Sequence, residues 1–386
     1  MDGNTLAIVA SLPWIVIPIV TSVRLSNSVT LSDESSEPPN DPPHVAVIIP
    51  ARNESRNIEQ CVRSILSNDY PDFSIIVVDD QSTDDTGAIA RMIATGDQRV
   101  RVVETGAPPE GWFGKQWACQ TGANESAGEI ILFADADTRH SSDLITRSVN
   151  AMLRRSADLF TLMGRQELGS FWERMVQPQV FSILLARYGG SESITRSNSV
   201  KNKIANGQCL FVRRATYDEL GGHALVKSHV AEDLMMAQRY FERGHHVVVE
   251  HGLDQLSTRM YTSLSELISG WGKNVFAGGR DAVPMGKIGS LFFPFTLLSA
   301  PAFGFAPALI ILGSVFFALP HAILLFAWIA QVSLWISWAA LYVMMRQSPL
   351  YALIAPLGAA MTFFIFVRAM TRGQRVTWKG RTYVSR

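Results

Sequence analysis

Three regimes of apolar patterning follow one another along the chain. Leu6 to Val23 is almost wholly apolar and ends at Arg24. Ser26 to His44 (SNSVTLSDESSEPPNDPPH) is rich in Ser, Pro and acids, which predicts a solvated linker. From Val45 onward, short apolar runs alternate with segments of helical spacing. Val45–Ile49 reads as a buried strand stopped by Pro50, and Glu59–Leu66 as a helix with Ile58, Val62, Ile65 and Leu66 on one face. Ser74–Val78, Val100–Val103 and Ile130–Ala134 read as further strands, and Asp84–Ala94 and Lys115–Asn124 as helices. Strands alternating with helices predict an α/β domain: a mainly parallel sheet flanked by helices, with right-handed crossovers. The pattern then loosens. Asp158–Met163 and Cys209–Val212 are short strand candidates, and FWERMVQPQVFSILLARYGG between them is either a core helix or an amphipathic helix on a membrane surface. Ser263–Phe276 is a second segment of that kind.

The last regime is membrane-like. Between Ile288 and Val367 the only basic residues are His321 and Arg346, and acids are absent. At about 20 residues per spanning helix, this length holds three or four passes. Trp328, Trp335 and Trp338 are candidate interface markers. The first apolar run lacks a basic n-region and an A-x-A cleavage site, so it reads as an anchor rather than a signal peptide. The expected plan is an anchor at 1–25, a linker at 26–44 and a soluble domain at 45–285, with interfacial helices near 170–188 and 262–278. A membrane region at 286–368 and a basic tail at 369–386 complete it. The tail has no acidic residue, and the positive-inside rule places it in the cytoplasm. A cytoplasmic tail requires an even number of passes. Four are expected if Pro301 and Pro307 break Gly289–Leu319 into a hairpin or re-entrant pair.

Net charge changes the picture little. Lys plus Arg equals Asp plus Glu at 34 each, so no global charge favours nucleic acid. Cys61, Cys119 and Cys209 are scattered, with neither disulfide nor metal-ligand spacing, and read as buried small residues.

The candidate chemistry lies at strand ends. Asp79 and Asp80 close SIIVVDD, Asp135 and Asp137 close EIILFADAD, and Glu232 and Asp233 follow in VAEDL. Apolar strands with acidic carboxyl ends deliver side chains into the crevice where open α/β sheets bind ligands. Two aspartates one residue apart suit a hard divalent cation with positions left for phosphate oxygens, though they also suit capping of a strand-to-turn transition. Lys115, after Gly114 at a helix start, can act as a point charge on phosphate or be a surface lysine. Arg52 is similarly placed after Pro50. Asp233 can serve as a proton acceptor, as a helix N-terminal acid, or as both. No G-x-G-x-x-G follows the first strand, which disfavours a dinucleotide-binding dehydrogenase.

The ordered set IPARNE, VVDDQSTDDT, FGKQWACQTGA, FADADT, NGQCLFVRR, Gly221-Gly222 and AED resembles the family 2 glycosyltransferases of GT-A fold, over roughly Val45 to Gly279. PPEGWFGKQWACQTGA, RMYTSLSELISGWGKN and VTWKGRTY look more narrowly like hopene-associated and carotenoid glycosyltransferases. The resemblance implies a nucleotide-sugar site at Pro50, Arg52, Glu54, Asp79, Asp80, Lys115, Asp135, Glu232, Trp271 and Lys273. It implies Asp137 as ligand of a divalent cation (Mg2+ or Mn2+), Asp135 in the ribose or metal shell, and Asp233 as catalytic base. One of Asp79 and Asp80 would contact uracil or ribose, while the other caps the following turn. The implied reaction moves a single sugar from a nucleotide-diphosphate donor, UDP-linked, to an isoprenoid lipid acceptor by inverting displacement at the cytoplasmic face of a membrane. A polyprenyl-phosphate acceptor and a non-catalytic nucleotide-sugar sensor are the alternatives. No protein partner is implied. The Q/R-x-x-R-W pattern of processive members is reduced to Leu267–Trp271 (LISGW), which disfavours a polysaccharide synthase.

Overall fold

Val45, Val47 and Ile49 enter one apolar cluster and Ile48 enters another, with the whole run at 0% exposure. A strand buried on both faces belongs at the centre of a helix-covered sheet. The structure, a computed structural model, describes residues 2–272, 286–372, 375–378 and 381–384. It divides into two units. One contains Ser28–Glu167 and Ser191–Met260, with Gln374–Arg386; the other contains Met1–Asn27, Leu168–Gly190 and Tyr261–Gly373.

The first of these is built on an eight-stranded sheet. Its strands are β1 (Val45–Ala51), β2 (Phe73–Asp79), β3 (Val100–Glu104), β4 (Ile130–Ala134), β5 (Thr138–His140), β6 (Leu159–Gln166), β7 (Cys209–Arg213) and β8 (Val247–Thr258). Their order is β3-β2-β1-β4-β7-β6-β8-β5. The β3-β2-β1-β4 half is parallel throughout. Beyond β4 the sheet is mixed: β7 runs antiparallel to both neighbours, β8 pairs parallel with β6, and β5 antiparallel with β8. The helices are α2 (Ile58–Leu66), α3 (Thr86–Gly96), α4 (Gly114–Asn124), α5 (Leu144–Arg154), α7 (Ser191–Thr195), α8 (Arg214–Glu219) and α9 (Glu232–Glu242). Gly122 lets α4 lie on the sheet: a Cβ there would stand 2.5 Å from Ile48 and 2.9 Å from Val78.

The solvated-linker expectation fails over Ser28–Glu37. Leu31 is completely buried, and Thr30 bridges to His251 on β8. Asn150 on α5 donates to the carbonyls of Ser35 and Glu37, and Arg147 to that of Ser32. Arg154 pairs with Glu34. One leucine among polar residues gives no periodic signal, yet burying it and satisfying the backbone around it fixes the strap.

The other unit is helical: α1 (Gly3–Leu25), α6 (Phe171–Tyr188), α10 (264–272), α11 (Gly286–Gly313), α12 (His321–Met344) and α13 (Ala355–Arg372), with a 3-10 turn at Pro349–Ile354. Among the described residues, four segments are long and apolar enough to cross a membrane: Gly3–Leu25, Leu291–Gly313, His321–Met344 and Pro349–Thr371. The expected break at Pro301 and Pro307 is absent. α11 runs through both, and through Pro294. Within apolar helices, neighbouring helices and local adjustments accommodate the backbone groups that proline frees. The soluble domain is therefore interrupted: 168–190 and 261–272, assigned to it from the sequence, cluster with the apolar helices. The α6 helix starts at a capping box, Ser170 with Glu173, and carries Pro178 inside it. The carbonyl of Arg174, which Pro178 cannot serve, accepts instead from the Tyr342 hydroxyl of α12 at 2.9 Å. Gly358 of α13 packs so close that a Cβ would lie 2.3 Å from the Met175 carbonyl oxygen.

Candidate active site

The carboxyl ends of β1, β2 and β4 and the start of α9 supply the candidate residues. Turn chemistry sets the first loops. Asn53 and Gln81 sit at positive φ (52° and 55°) after β1 and β2, a conformation that asparagine tolerates better than glutamine. Asn53 ties the two loops together: its side-chain oxygen accepts from the Thr83 amide, and its own amide donates to the Ser82 hydroxyl. Arg52 does related work, donating to the carbonyls of Asp80 and Gln81. Pro50 lies within β1 rather than ending it.

The aspartate pair after β2 divides its labour. Asp79 caps the turn, its Oδ1 accepting from the Ser82 amide at 2.9 Å. Asp80, 1% exposed, accepts from the Thr105 hydroxyl at 3.2 Å.

Lys115 ties the later carboxylates together. It is the second residue of α4, and its Nζ lies 2.8 Å from Asp135 Oδ1 and 2.8 Å from Glu232 Oε1. Asp233 Oδ2 accepts from the Gly207 amide at 2.8 Å, and its Oδ1 from the Leu234 amide of its own helix. A Cβ at Gly207 would stand 3.2 Å from Lys115 Nζ and 3.3 Å from Asp233 Oδ2, so the chain passes against both groups. Asp137 Oδ1 is buried without a hydrogen-bond partner.

Carboxylates outnumber the ammonium set among them, and their acidities show it. Burial, then the charges of Asp135 and Glu54, pushes Asp137 up to about 7. Burial also raises Asp135 despite its lysine partner. Burial and then Glu232 bring Asp233 to about 6. Burial pushes Glu232 up as well, but Lys115 outweighs it and holds the group below the usual range. Lys115 is raised well above a free lysine: burial opposes its charge, but Asp135 and Glu232 prevail. A surplus of buried negative charge with one orphaned carboxylate oxygen is the environment a divalent cation would relieve. The residues therefore fit a cation held by Asp137 with Asp135. Among the described residues no cluster of three or more metal-ligating side chains forms, so a cation here would keep positions for other oxygens.

The sequence-derived set does not all converge. Trp271 belongs to the helical unit, where it is 5% exposed and packs edge-on against Phe181 and Tyr261. Lys273 lies outside the described residues. The cysteines are free and buried, as their scattered spacing suggests.

Residues 46–221 match the family described as Glycosyl transferase family 2. They form a family 2 glycosyltransferase domain. Similar curated proteins are named 4,4'-diaponeurosporenoate glycosyltransferase. One from Staphylococcus aureus (strain MRSA252) is 28% identical over 62% of this chain and 63% of its own length. Another, from Staphylococcus haemolyticus (strain JCSC1435), is 27% identical over the same shares. The match thus spans less than two thirds of these relatives. A solved mannosyltransferase from Pyrobaculum calidifontis, in complex with GDP-Man and Mn2+, superposes with a TM-score of 0.55 at 18% identity. The superposition covers 96% of this chain and 98% of that one, a likeness of fold. The expected GT-A fold is thereby borne out.

Sequence reading missed the Gly207 amide and the Thr105 hydroxyl. NGQC and the Gly-Gly pair stood out as motifs, but nothing in them says which backbone group would meet Asp233.

Proposed function

We propose that this protein transfers a single sugar from a nucleotide-diphosphate donor, UDP-linked, to an isoprenoid lipid acceptor with inversion at the anomeric carbon. The observation that carries the reading is one connected set: Asp135 and Glu232 on Lys115, with Asp233 pinned by Gly207 beside that lysine. Asp137, with Asp135, would hold a divalent cation (Mg2+ or Mn2+). When bound, such a cation offsets the charge that develops on the departing diphosphate. The residues of the chain do the rest. Lys115 at the α4 N-terminus offers a point charge to phosphate, at a helix end whose dipole favours an anion. Asp80 lies at the end of β2, where the nucleoside would sit. Where the acceptor is an alcohol, Asp233 takes its hydroxyl proton on Oδ1 or Oδ2 as the new bond forms, and two amide donors hold the carboxylate in place for this. The curated relatives are named for a carotenoid acid, which supports an isoprenoid acceptor. The test is turnover by the full chain in mixed micelles with a UDP-sugar, Mn2+ and total isoprenoid lipids, read by mass spectrometry. A glycolipid is expected. Donor binding without glycolipid or released UDP would instead favour a sensor.

Contacts inside the helical unit support a membrane placement. Asn4 meets His321, Gly3 meets Ala322, and the Trp14 carbonyl accepts from Ser333, so α1 and α12 run parallel. α6 lies at their C-terminal ends, where Gly190 donates to the Arg24 carbonyl and Tyr342 to that of Arg174. Trp14, mid-way along α1, stacks on Phe303, and Gly304 meets Ala359 near the start of α13. The other end of α13 places Ile365 and Phe366 with Phe293 of α11 and Val176 of α6. Pro349–Ile354 and α13 thus dip to mid-depth and return. We therefore assign three crossings, by α1, α11 and α12, and a re-entrant fourth segment. Arg24, Arg346 and Arg368 lie toward the end of the helical unit where α1 and α12 finish, and the positive-inside rule supports that end as the cytoplasmic side.

A further inference from the structure

We infer that Thr138 is a positioning residue for the candidate cation site: its buried hydroxyl, held by His140, clamps the Asp135 carbonyl and so fixes the turn that presents Asp135 and Asp137. The inference rests on the function proposed above. Asp135 to Thr138 form a tight turn between β4 and β5, closed by the Thr138 amide, which donates to the Asp135 carbonyl at 3.2 Å. The Thr138 hydroxyl donates to the same carbonyl at 2.7 Å. On the neighbouring strand β8, Thr258 pairs with Thr138, and its hydroxyl donates to the Asp137 carbonyl at 3.2 Å. Both threonines are 1% exposed. The backbone carbonyl of each candidate cation ligand is thus held by a buried hydroxyl.

His140 sets the direction of the Thr138 hydroxyl. Its Nε2 lies 3.0 Å from Thr138 Oγ1, and the ring is 6% exposed. A hydroxyl has one hydrogen, and Thr138 gives it to the Asp135 carbonyl, so its oxygen accepts from Nε2–H. The opposite arrangement would put the ring proton on Nδ1, which is buried without a partner, and an unpaired buried donor is costly. Two contacts from α2 hold the same turn. The His140 backbone N–H donates to Ser64 Oγ at 3.1 Å, and the Cys61 thiol lies 3.6 Å from the Asp135 carbonyl oxygen. The relay therefore runs from His140 through Thr138 to the Asp135 carbonyl. Asp137 Oδ1, two residues on, is buried without a hydrogen-bond partner, so a shift of this turn displaces a carboxylate oxygen that no protein donor steadies. Groups that orient metal ligands in this way typically cost 10–100-fold in metal affinity, roughly, when they are lost.

The test is calorimetric binding of UDP to the full chain in detergent, with and without Mn2+. Thr138→Val keeps the branched shape and removes the hydroxyl. It is expected to cut the gain in UDP affinity that Mn2+ confers about 10-fold, while metal-free UDP affinity stays at the wild-type level. Thr138→Ser keeps the hydroxyl and should restore most of the gain. His140→Phe leaves the hydroxyl undirected and should give a smaller loss of the same kind, which His140→Gln, with an N–H near the Nε2 position, should largely repair. The His140 pair decides the matter if Thr138→Val does not fold. A wild-type Mn2+ gain in Thr138→Val, equal losses in Thr138→Val and Thr138→Ser, or an equal fall in metal-free affinity would overturn the assignment; so would equal losses in His140→Phe and His140→Gln. A wild-type chain whose UDP affinity does not respond to Mn2+ would instead refute the cation site on which the inference rests.

Discussion

Lys115→Met is the most informative perturbation, because it removes one ammonium from between two carboxylates. The lysine side chain is 25% exposed, Asp135 28% and Glu232 11%. Removing one partner of a buried pair costs about 3–5 kcal/mol, and this partial exposure argues for the lower end, about 3 kcal/mol. For a domain of this size each kcal/mol shifts Tm by about 2–4 °C, giving a fall of roughly 6–12 °C. The loss should depend on pH in a definite direction. Lys115 holds Glu232 below the usual glutamate range. Without it, burial raises Glu232 above its unfolded value, and Asp135 rises further. A carboxyl group with a raised folded pKa loses stability as pH rises through that pKa. The gap between wild type and Lys115→Met should therefore widen from pH 5 to pH 8. Thermal unfolding in detergent across that range, with no nucleotide present, measures it. Lys115→Met with Glu232→Gln should recover part of the loss, since the contacting pair is coupled. A gap that stays constant or narrows as pH rises would refute this account of the site.

Three further outcomes are expected. Asp137→Asn should abolish transfer and remove the metal-dependent part of UDP affinity; calorimetry with and without Mn2+ reads this, and unchanged metal dependence would take Asp137 out of the cation site. Asp233→Asn should leave UDP binding largely intact and cut turnover about 10²–10⁴-fold; a smaller loss would favour an acceptor that arrives already anionic, such as a polyprenyl phosphate. A fluorescent protein fused after Arg386 should be active in the cytoplasm, whereas an active periplasmic phosphatase at the same point would overturn the re-entrant placement.

Much of the sheet was legible because its strands are buried on both faces. Ile130–Ala134 was placed to the residue, and β1 and β2 differ from their expected spans by a residue or two at their ends. The edge elements were not legible. β5 is three residues long, and its pairing partner β8 lies more than a hundred residues away. β8 itself mixes Glu250, Asp254 and Gln255 into its run, so no clean alternation marks it. In the site, side chains could be nominated from strand ends, but their pairing could not. That Lys115 would bridge Asp135 and Glu232 depends on α4 and α9 meeting at one end of the sheet.

Hydropathy leaves the C-terminal helices open for a related physical reason: it counts apolar length and says nothing of depth. Pro349–Thr371 passes every test of composition for a crossing. Yet α13 has only 13 residues from Ala355 to Val367 before Arg368, a rise of about 20 Å against a hydrocarbon core of about 30 Å. The first six residues of the segment, Pro349–Ile354, are 3-10, and they keep Tyr351 beside Tyr342 and under Arg174, at the C-terminal end of α12. A non-helical turn at depth is tolerated where protein buries its backbone, and α6 and α12 supply that cover here. On the re-entrant placement proposed above, the even number of crossings after the glycosyltransferase domain would be met by a different device from a proline-broken hairpin: α11 stays whole, and the last apolar segment would turn back.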